Sequence, residues 1–279
     1  MKTKRATTSR PPLEAPSQTE RVAATLRQKI LRGEFRPGQR LAELTVAPLL
    51  KASRTPVRLA LERLAHQGLL EAQPSGGFRV REFTVAEIWD AIELRGVLEG
   101  TAARLAAERL VCPEELEPLR QCQAAFAEVA PMDMDDFLDY VAKNQAFHRE
   151  LWRLAKSPTL ERALDAVCAL PFAEPGAVVF GGSPDAEAYH ARTAMIAIEH
   201  HRGILEAIQN RESARAEAVA REHSRLTRNN LDWALRNRDV LRKFPGASLI
   251  AFPGEAKAIP KSGGRRRSHG AIARRPNAR

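Results

Sequence analysis

Long apolar runs are missing from this 279-residue chain. None approaches the roughly 18 uninterrupted apolar residues that a membrane span requires, so no membrane partner is expected. The basic start, Met1 to Arg10, has no apolar stretch behind it and does not read as a secretory signal. Cysteine is scarce. Cys112, Cys122 and Cys168 stand far apart with no Cys-x-x-Cys pair, which argues against a zinc ribbon or a disulfide framework and suits a reducing cytoplasm. All three read as packing residues. Aromatics make up only 5% of the chain, whereas Ala, Leu, Arg and Glu are plentiful, a balance that favours helices. His-Glu-x-x-His, Gly-x-Ser-x-Gly and a phosphate-cradling glycine loop are also absent, so no catalytic constellation is evident.

What is present is length and unevenly placed charge. A chain of this size exceeds what one core usually supports, and two domains are expected. The net charge is +10. Residues 1–16 hold four basic groups and one acidic, and residues 255–279 hold eight and one, so these two tails account for the whole excess. Residues 18–83 carry twelve basic and six acidic groups, and the remainder is negative by the same margin. A basic module joined to an acidic one suggests a nucleic-acid-contacting domain beside a domain with another task.

Residues 1–17, rich in Thr, Ser and Pro, read as a disordered basic arm. From Thr19, Val22, Leu26 and Ile30 recur at helical spacing until Gly33. Phe35-Arg36-Pro37-Gly38 is a turn. A second short helix is expected over 41–50, with Leu44, Ala47 and Leu50 on one face. Ser53 is a candidate N-cap, Pro56 suits a first helical turn, and Val57, Leu61 and Leu64 form the buried stripe of a third helix ending at Gly68. Two short strands, 69–72 and 78–81, flank Pro74-Ser75-Gly76-Gly77. Three helices and a hairpin over 18–83 are the order of a winged helix-turn-helix. Six helical segments then follow, near 85–110, 113–129, 133–156, 158–170, 188–209 and 212–237. The Pro/Gly-rich stretch 171–187 between them reads as a long loop, of a kind that often serves as a functional lid. The fold expected is mainly α: a winged helix over 18–83, an all-helical domain over 84–240, and a disordered basic tail over 241–279.

Arg54, Thr55 and Arg58 lie near the start of the third helix, away from its apolar stripe. A recognition helix places its readers there, because its N-terminal end enters the major groove. Arginine can bond both acceptors of guanine or clamp a phosphate. The glycine-rich hairpin tip can approach a minor groove closely, and Arg21, Lys29, Arg36 and Arg40 can serve the DNA backbone. The segments Arg36-Pro37-Gly38-Gln39-Arg40-Leu41, Ser53-Arg54-Thr55-Pro56-Val57-Arg58-Leu59-Ala60-Leu61 and Gly68-Leu69-Leu70-Glu71 strongly resemble the GntR family of bacterial repressors. The resemblance covers residues 19–82. Many relatives carry a basic residue at the wing tip, where this chain has Ser75, Gly76 and Gly77, so wing contacts here are expected from backbone or from Ser75.

Farther on, Asn144 and His148 are four residues apart and share a helix face. His201 and His223 fall in two later helices, and His200 beside His201 leaves the choice between those two open from spacing alone. On spacing alone these histidines read as structural or surface residues, or, where several imidazoles are aimed into one bundle, as a metal site. Asn144-x-x-Phe147-His148-x-x-Leu151, His201-Arg202-x-Ile204-Leu205-x-Ala207-Ile208 and His223 resemble the FCD effector domain of the FadR subfamily of GntR regulators, over about residues 85–237. That resemblance implies a six- or seven-helix bundle with a central pocket. It also implies a divalent metal ion, zinc or nickel, on one acidic residue and three histidines. His148, His201 and His223 match the histidines; Asn144 stands where an aspartate is frequent. An Asn carbonyl can ligate a cation but cancels none of its charge, so a metal held here would attract an anionic effector such as a carboxylate. Arg95 stands where similar domains point a residue into the pocket. It can bind that carboxylate, or it can pair with Glu99 on the helix surface.

The function expected is a cytoplasmic, ligand-responsive repressor that binds a palindromic double-stranded operator as a homodimer and senses a small organic acid. Two other readings compete with it: a metal-dependent enzyme fused to a DNA-binding module, and an architectural binder held on DNA by its basic tails.

Overall fold

The computed structural model describes residues 17–128, 134–177, 184–242 and 244–252, with the side chains of 134–137 outside that description. Residues 1–16 of the expected arm (1–17) and residues 253–279 of the expected tail lie outside the described residues. Ser17 itself caps the first helix: its hydroxyl accepts from Glu20 N, and the Glu20 carboxylate accepts from Ser17 N.

The head consists of α1 (Gln18–Leu31), β1 (Arg40–Leu41), α2 (Glu43–Leu49), α3 (Arg54–His66), β2 (Leu70–Ala72) and β3 (Phe78–Val80). Leu26, Ile30, Val57, Leu61 and Leu64 are buried in its core, as their helical spacing requires. The sheet is antiparallel in the order β1-β3-β2, with Leu41 opposite Phe78 and Leu70 opposite Val80. The expected start of the second helix at residue 41 is corrected, because Arg40 and Leu41 form β1. The helix begins two residues later, its face rotates, and Val46 rather than Leu44 is buried; Leu44 is 64% exposed. Lys51, at φ 48°, turns the chain between α2 and α3.

A short strand, β4 (Phe83–Thr84), leads into the helical domain: α4 (Val85–Arg109), a 3-10 turn over Pro113–Leu116, α5 (Glu117–Ala127), α6 (Met134–Leu154), α7 (Pro158–Cys168), α8 (Pro184–Gln209), α9 (Ser213–Arg236) and the single turn α10 (Arg238–Leu241). Thr84 caps α4 through a reciprocal pair of bonds with Glu87. α4 runs against α9 with Gly96 and Gly100 at the contact. A Cβ on Gly96 would collide with Ser224 Oγ, so only glycine permits this approach.

The expected disordered tail from 241 onward is corrected over residues 241, 242 and 244–252. Leu241 is buried on α10, a 3-10 turn follows at Ala247–Leu249, and β5 (Ile250–Ala251) pairs in parallel with β4. Leu249 and Ile250 are buried in the same apolar cluster as Leu26, Ile30 and Leu61 of the head and Leu231 and Ala234 of α9. This stretch looked loop-like because Pro245 and Gly246 break it, yet its apolar side chains find a core. The stretch expected as a lid is likewise corrected in part. Residues 171–173 and 175–177 are buried, and the last residues of the expected loop begin α8; residues 178–183 lie outside the described residues. Among the described residues no helix is long and apolar enough to cross a membrane.

Candidate functional site

Two assemblies of polar side chains stand out, one on the head and one inside the bundle. On the head, Pro56, Val57, Ala60, Leu61 and Leu64 bury one face of α3, which leaves Arg54, Thr55 and Arg58 on the exposed face. Arg58 makes only a 4.0 Å ion pair with Glu62, and both side chains are more than half exposed. Such a pair contributes at most about 1 kcal/mol and yields readily to another anion. Ser53 holds the N-cap backbone position, but its side chain makes no capping bond. Arg36 is exposed. Lys29, by contrast, is engaged with Glu34 at 2.6 Å.

The wing tip turns through Gly76 and Gly77 at φ 83° and 79°, a left-handed pair that side chains resist. Ser75 and Gly76 are exposed, and Gly77 is half-buried. Arg40 reaches across from β1, and its Nη2 donates to Ser75 O at 3.0 Å and Gly76 O at 2.6 Å. A guanidinium therefore sits at a tip whose own sequence carries no basic residue.

Inside the bundle, the close approach of α4 and α9 brings Arg95 and Glu99 to the histidines. His148 on α6, His201 on α8 and His223 on α9 are all buried, and their nearest ligand atoms lie within 4.8 Å of one another. His148 Nε2 is 3.2 Å from His223 Nε2, which is 3.1 Å from His201 Nε2. A tetrahedral ion with bonds of 2.0–2.1 Å holds its nitrogens about 3.3 Å apart, so the separations suit a bound cation. Burial, reinforced by the neighbouring imidazoles, pushes His201 and His223 well below the ordinary histidine range. They are neutral, with lone pairs available. Phe147 stacks on His201 at 3.8 Å between ring centroids and fixes its plane. His200 is only half-buried and stands outside the triad.

Glu99 Oε1 lies 2.7 Å from His148 Nδ1, placed to orient the ring so that Nε2 faces His223 Nε2. Burial alone would raise the Glu99 pKa, but His148 and Arg95 outweigh it and hold the carboxyl below its usual range. Asn144 Nδ2 donates to Pro175 O at 2.5 Å, whereas its Oδ1 is buried with no protein partner. That unpartnered acceptor, one turn before His148, is a suitable ligand atom for a cation. Arg95 is buried and does pair with Glu99, at 3.3 Å, inside the bundle rather than on the helix surface. It also donates to Ala173 O and Thr227 Oγ1, both at 2.9 Å. Sequence reasoning missed Glu99 as the orienting carboxylate. Its only signal was the four-residue spacing from Arg95, which suits a surface ion pair equally well.

Residues 18–80 match the family model described as bacterial regulatory proteins of the gntR family, and residues 90–226 match the FCD domain. A transcriptional regulator from a ttuE-ttuC' intergenic region of Agrobacterium vitis is 34% identical over 139 residues, 48% of this chain and 81% of that protein. The chain belongs to the GntR family of bacterial regulatory proteins. A probable D-xylose utilization operon transcriptional repressor of Paenarthrobacter nicotinovorans is 35% identical over 139 residues, 50% of this GntR chain and 60% of the relative's length. The solved structure of E. coli McbR/YncC aligns with a TM-score of 0.58 at 21% identity, over 80% of this chain and all of that one, which shows a shared fold. In this GntR protein the FCD domain contains all three converging histidines, and the two relatives bear the names of a probable transcriptional repressor and an uncharacterized transcriptional regulator.

Proposed function

We propose that this chain is a cytoplasmic, sequence-specific transcriptional repressor whose affinity for its operator is set by a small carboxylate bound in the helical domain. The observation that carries the reading is the coexistence, in one chain, of an exposed Arg54-Thr55-Arg58 face on α3 and a buried trio of converging imidazoles. Arg54, Arg58 and Thr55 read base edges; Arg36 and Ser53 hold phosphates; Ser75, Gly76 and Gly77 approach the minor groove with Arg40 at their back. Two copies bind a palindrome with half-sites about 34 Å apart, the spacing that places two recognition helices on one side of the duplex.

The residues of the bundle fit a divalent ion, zinc or nickel, held by His148, His201, His223 and the Asn144 carbonyl oxygen. When bound, such an ion supplies a positive centre that an anion can join. Because Asn144 brings no charge to that centre, attraction for a carboxylate is stronger than with an acidic ligand in its place. Arg95 takes the other end of the effector, exchanging its bond to Ala173 O for a bidentate one.

Fluorescence anisotropy with operator and scrambled duplexes tests the head. Arg54→Ala and Arg58→Ala are expected to weaken specific binding by about 1–3 kcal/mol and leave scrambled DNA nearly unaffected. Equal discrimination in both variants would refute the assignment. Metal analysis of purified protein tests the bundle, with one ion per chain in the wild type and none in His148→Ala as the expected result.

A further inference from the structure

A cleft of about 710 Å3 lies between head and bundle, lined on the head side by Arg27 of α1, by Arg63 of α3 and by Gln67 just past its end. Gln145 and Arg149 of α6 and Glu174 form much of the opposite wall. Asn144 and His148, on the same helix, are turned inward and buried, so the cleft and the histidine pocket occupy different faces of α6. Its volume falls in the range of small-molecule sites, and its lining divides almost evenly between charged or amide side chains, Asp165 among them, and apolar ones such as Trp152 and Cys168.

The cationic groups differ in how firmly they are held. Arg27 is fixed, donating through Nη1 to Ala169 O at 2.5 Å. Arg63 and Arg149 are not: their side chains are 49% and 57% exposed, and their partners, Glu20 and Asp165, are about half exposed as well. Pairs of that kind are worth little in water and exchange for a better anion. Arg149 also rests over the Trp152 ring, 4.7 Å from its centroid, which keeps its guanidinium along the cleft wall.

We propose that this cleft is a second small-molecule site, separate from the histidine pocket, that takes a phosphate monoester of a hydroxylated compound. Two guanidinium forks on opposite walls suit a tetrahedral dianion with three terminal oxygens; a single carboxylate offers only two oxygens in one plane. Gln67 and Gln145 supply neutral donors and acceptors for hydroxyl groups, and the Glu174 carboxylate supplies a further acceptor. The bound ester joins α3, whose other end carries Arg54 and Arg58, to α6, which carries Asn144 and His148. The site therefore acts on the head directly.

Isothermal titration of the full chain with ribose 5-phosphate, inorganic phosphate and ribose tests this. The expected result is saturable binding of the ester at one per chain, tighter than inorganic phosphate, with a Kd below about 1 mM and no heat from ribose. Arg63→Ala and Arg149→Ala should each weaken it by about tenfold or more, the loss of one charge-assisted fork. Both side chains are half exposed, so folding survives, and circular dichroism verifies this. His148→Ala and Arg54→Ala should bind as the wild type does. No saturation by about 10 mM ester overturns the proposal. So does loss of binding in His148→Ala, which would place the ester in the bundle, or in Arg54→Ala, which would place it on the DNA-binding face.

Discussion

Arg40 shows how a single side chain can supply what its neighbours lack. The wing needs left-handed backbone at Gly76 and Gly77 and so has no basic side chain there, and the guanidinium comes instead from β1, bonded to the tip carbonyls. Arg40→Ala should weaken DNA binding nearly uniformly across sequences and lower the slope of log K against log salt by about 1, the share that a single neutralised phosphate contributes. Anisotropy titrations at several salt concentrations read this directly. A second single-residue effect concerns acid. Burial pushes His190, on α8, down to about 4. Its folded pKa lies below its unfolded value near 6.5, so stability is unaffected above that value and falls as pH drops from 6.5 towards 4. Urea denaturation at pH 7.5 and at pH 5 should show a smaller acid loss in His190→Gln than in the wild type. The exposure of Arg54, Thr55 and Arg58 was legible in sequence because a helix exposes the residues its apolar stripe leaves over. Glu99 was not, since whether an i,i+4 pair is buried depends on the neighbouring helix and not on its own spacing.

At the scale of elements, the contact between α4 and α9 decides the histidine pocket. Gly96 leaves no room for a Cβ beside Ser224, and the resulting approach sets Arg95 against Thr227 and Glu99 within reach of His148. Gly96→Ala should destabilise the protein by about 1–3 kcal/mol through overpacking. Adding Ser224→Gly should restore much of that, because the obstructing hydroxyl is gone; chemical denaturation of the three variants checks it. Helix periodicity made most elements readable, including α3, α4 and α9. It failed where elements are too short to show a period. β1 has two residues, and by taking Arg40 and Leu41 out of the second helix it rotates that helix enough to bury Val46 in place of Leu44. Residues 171–177 carry loop composition but bury backbone whose carbonyls serve Arg95 and Asn144, a role that only tertiary contacts reveal.

For the whole molecule, the return of residues 244–252 to the head is the feature that composition concealed. Leu249 and Ile250 are fully buried in a cluster that spans both domains. A chain ending at residue 242 should be less stable than one ending at 252 by roughly 3–6 kcal/mol, the value of two buried aliphatic side chains. Calorimetry should show one transition for the longer chain and separate transitions for head and bundle in the shorter. Removal of residues 255–279 tests the competing reading from charge: a repressor keeps its preference for operator over scrambled DNA, whereas an architectural binder loses its hold on both.

The pairing of β5 with β4 has a consequence for signalling. A head tethered by a single flexible hinge would average out whatever the bundle does before it reached the double helix. With both strands crossing at the same joint, the head has little freedom of its own. If the proposed function holds, a small rotation begun around the histidines would arrive at the groove undiminished, like the turn of a key held by its bow.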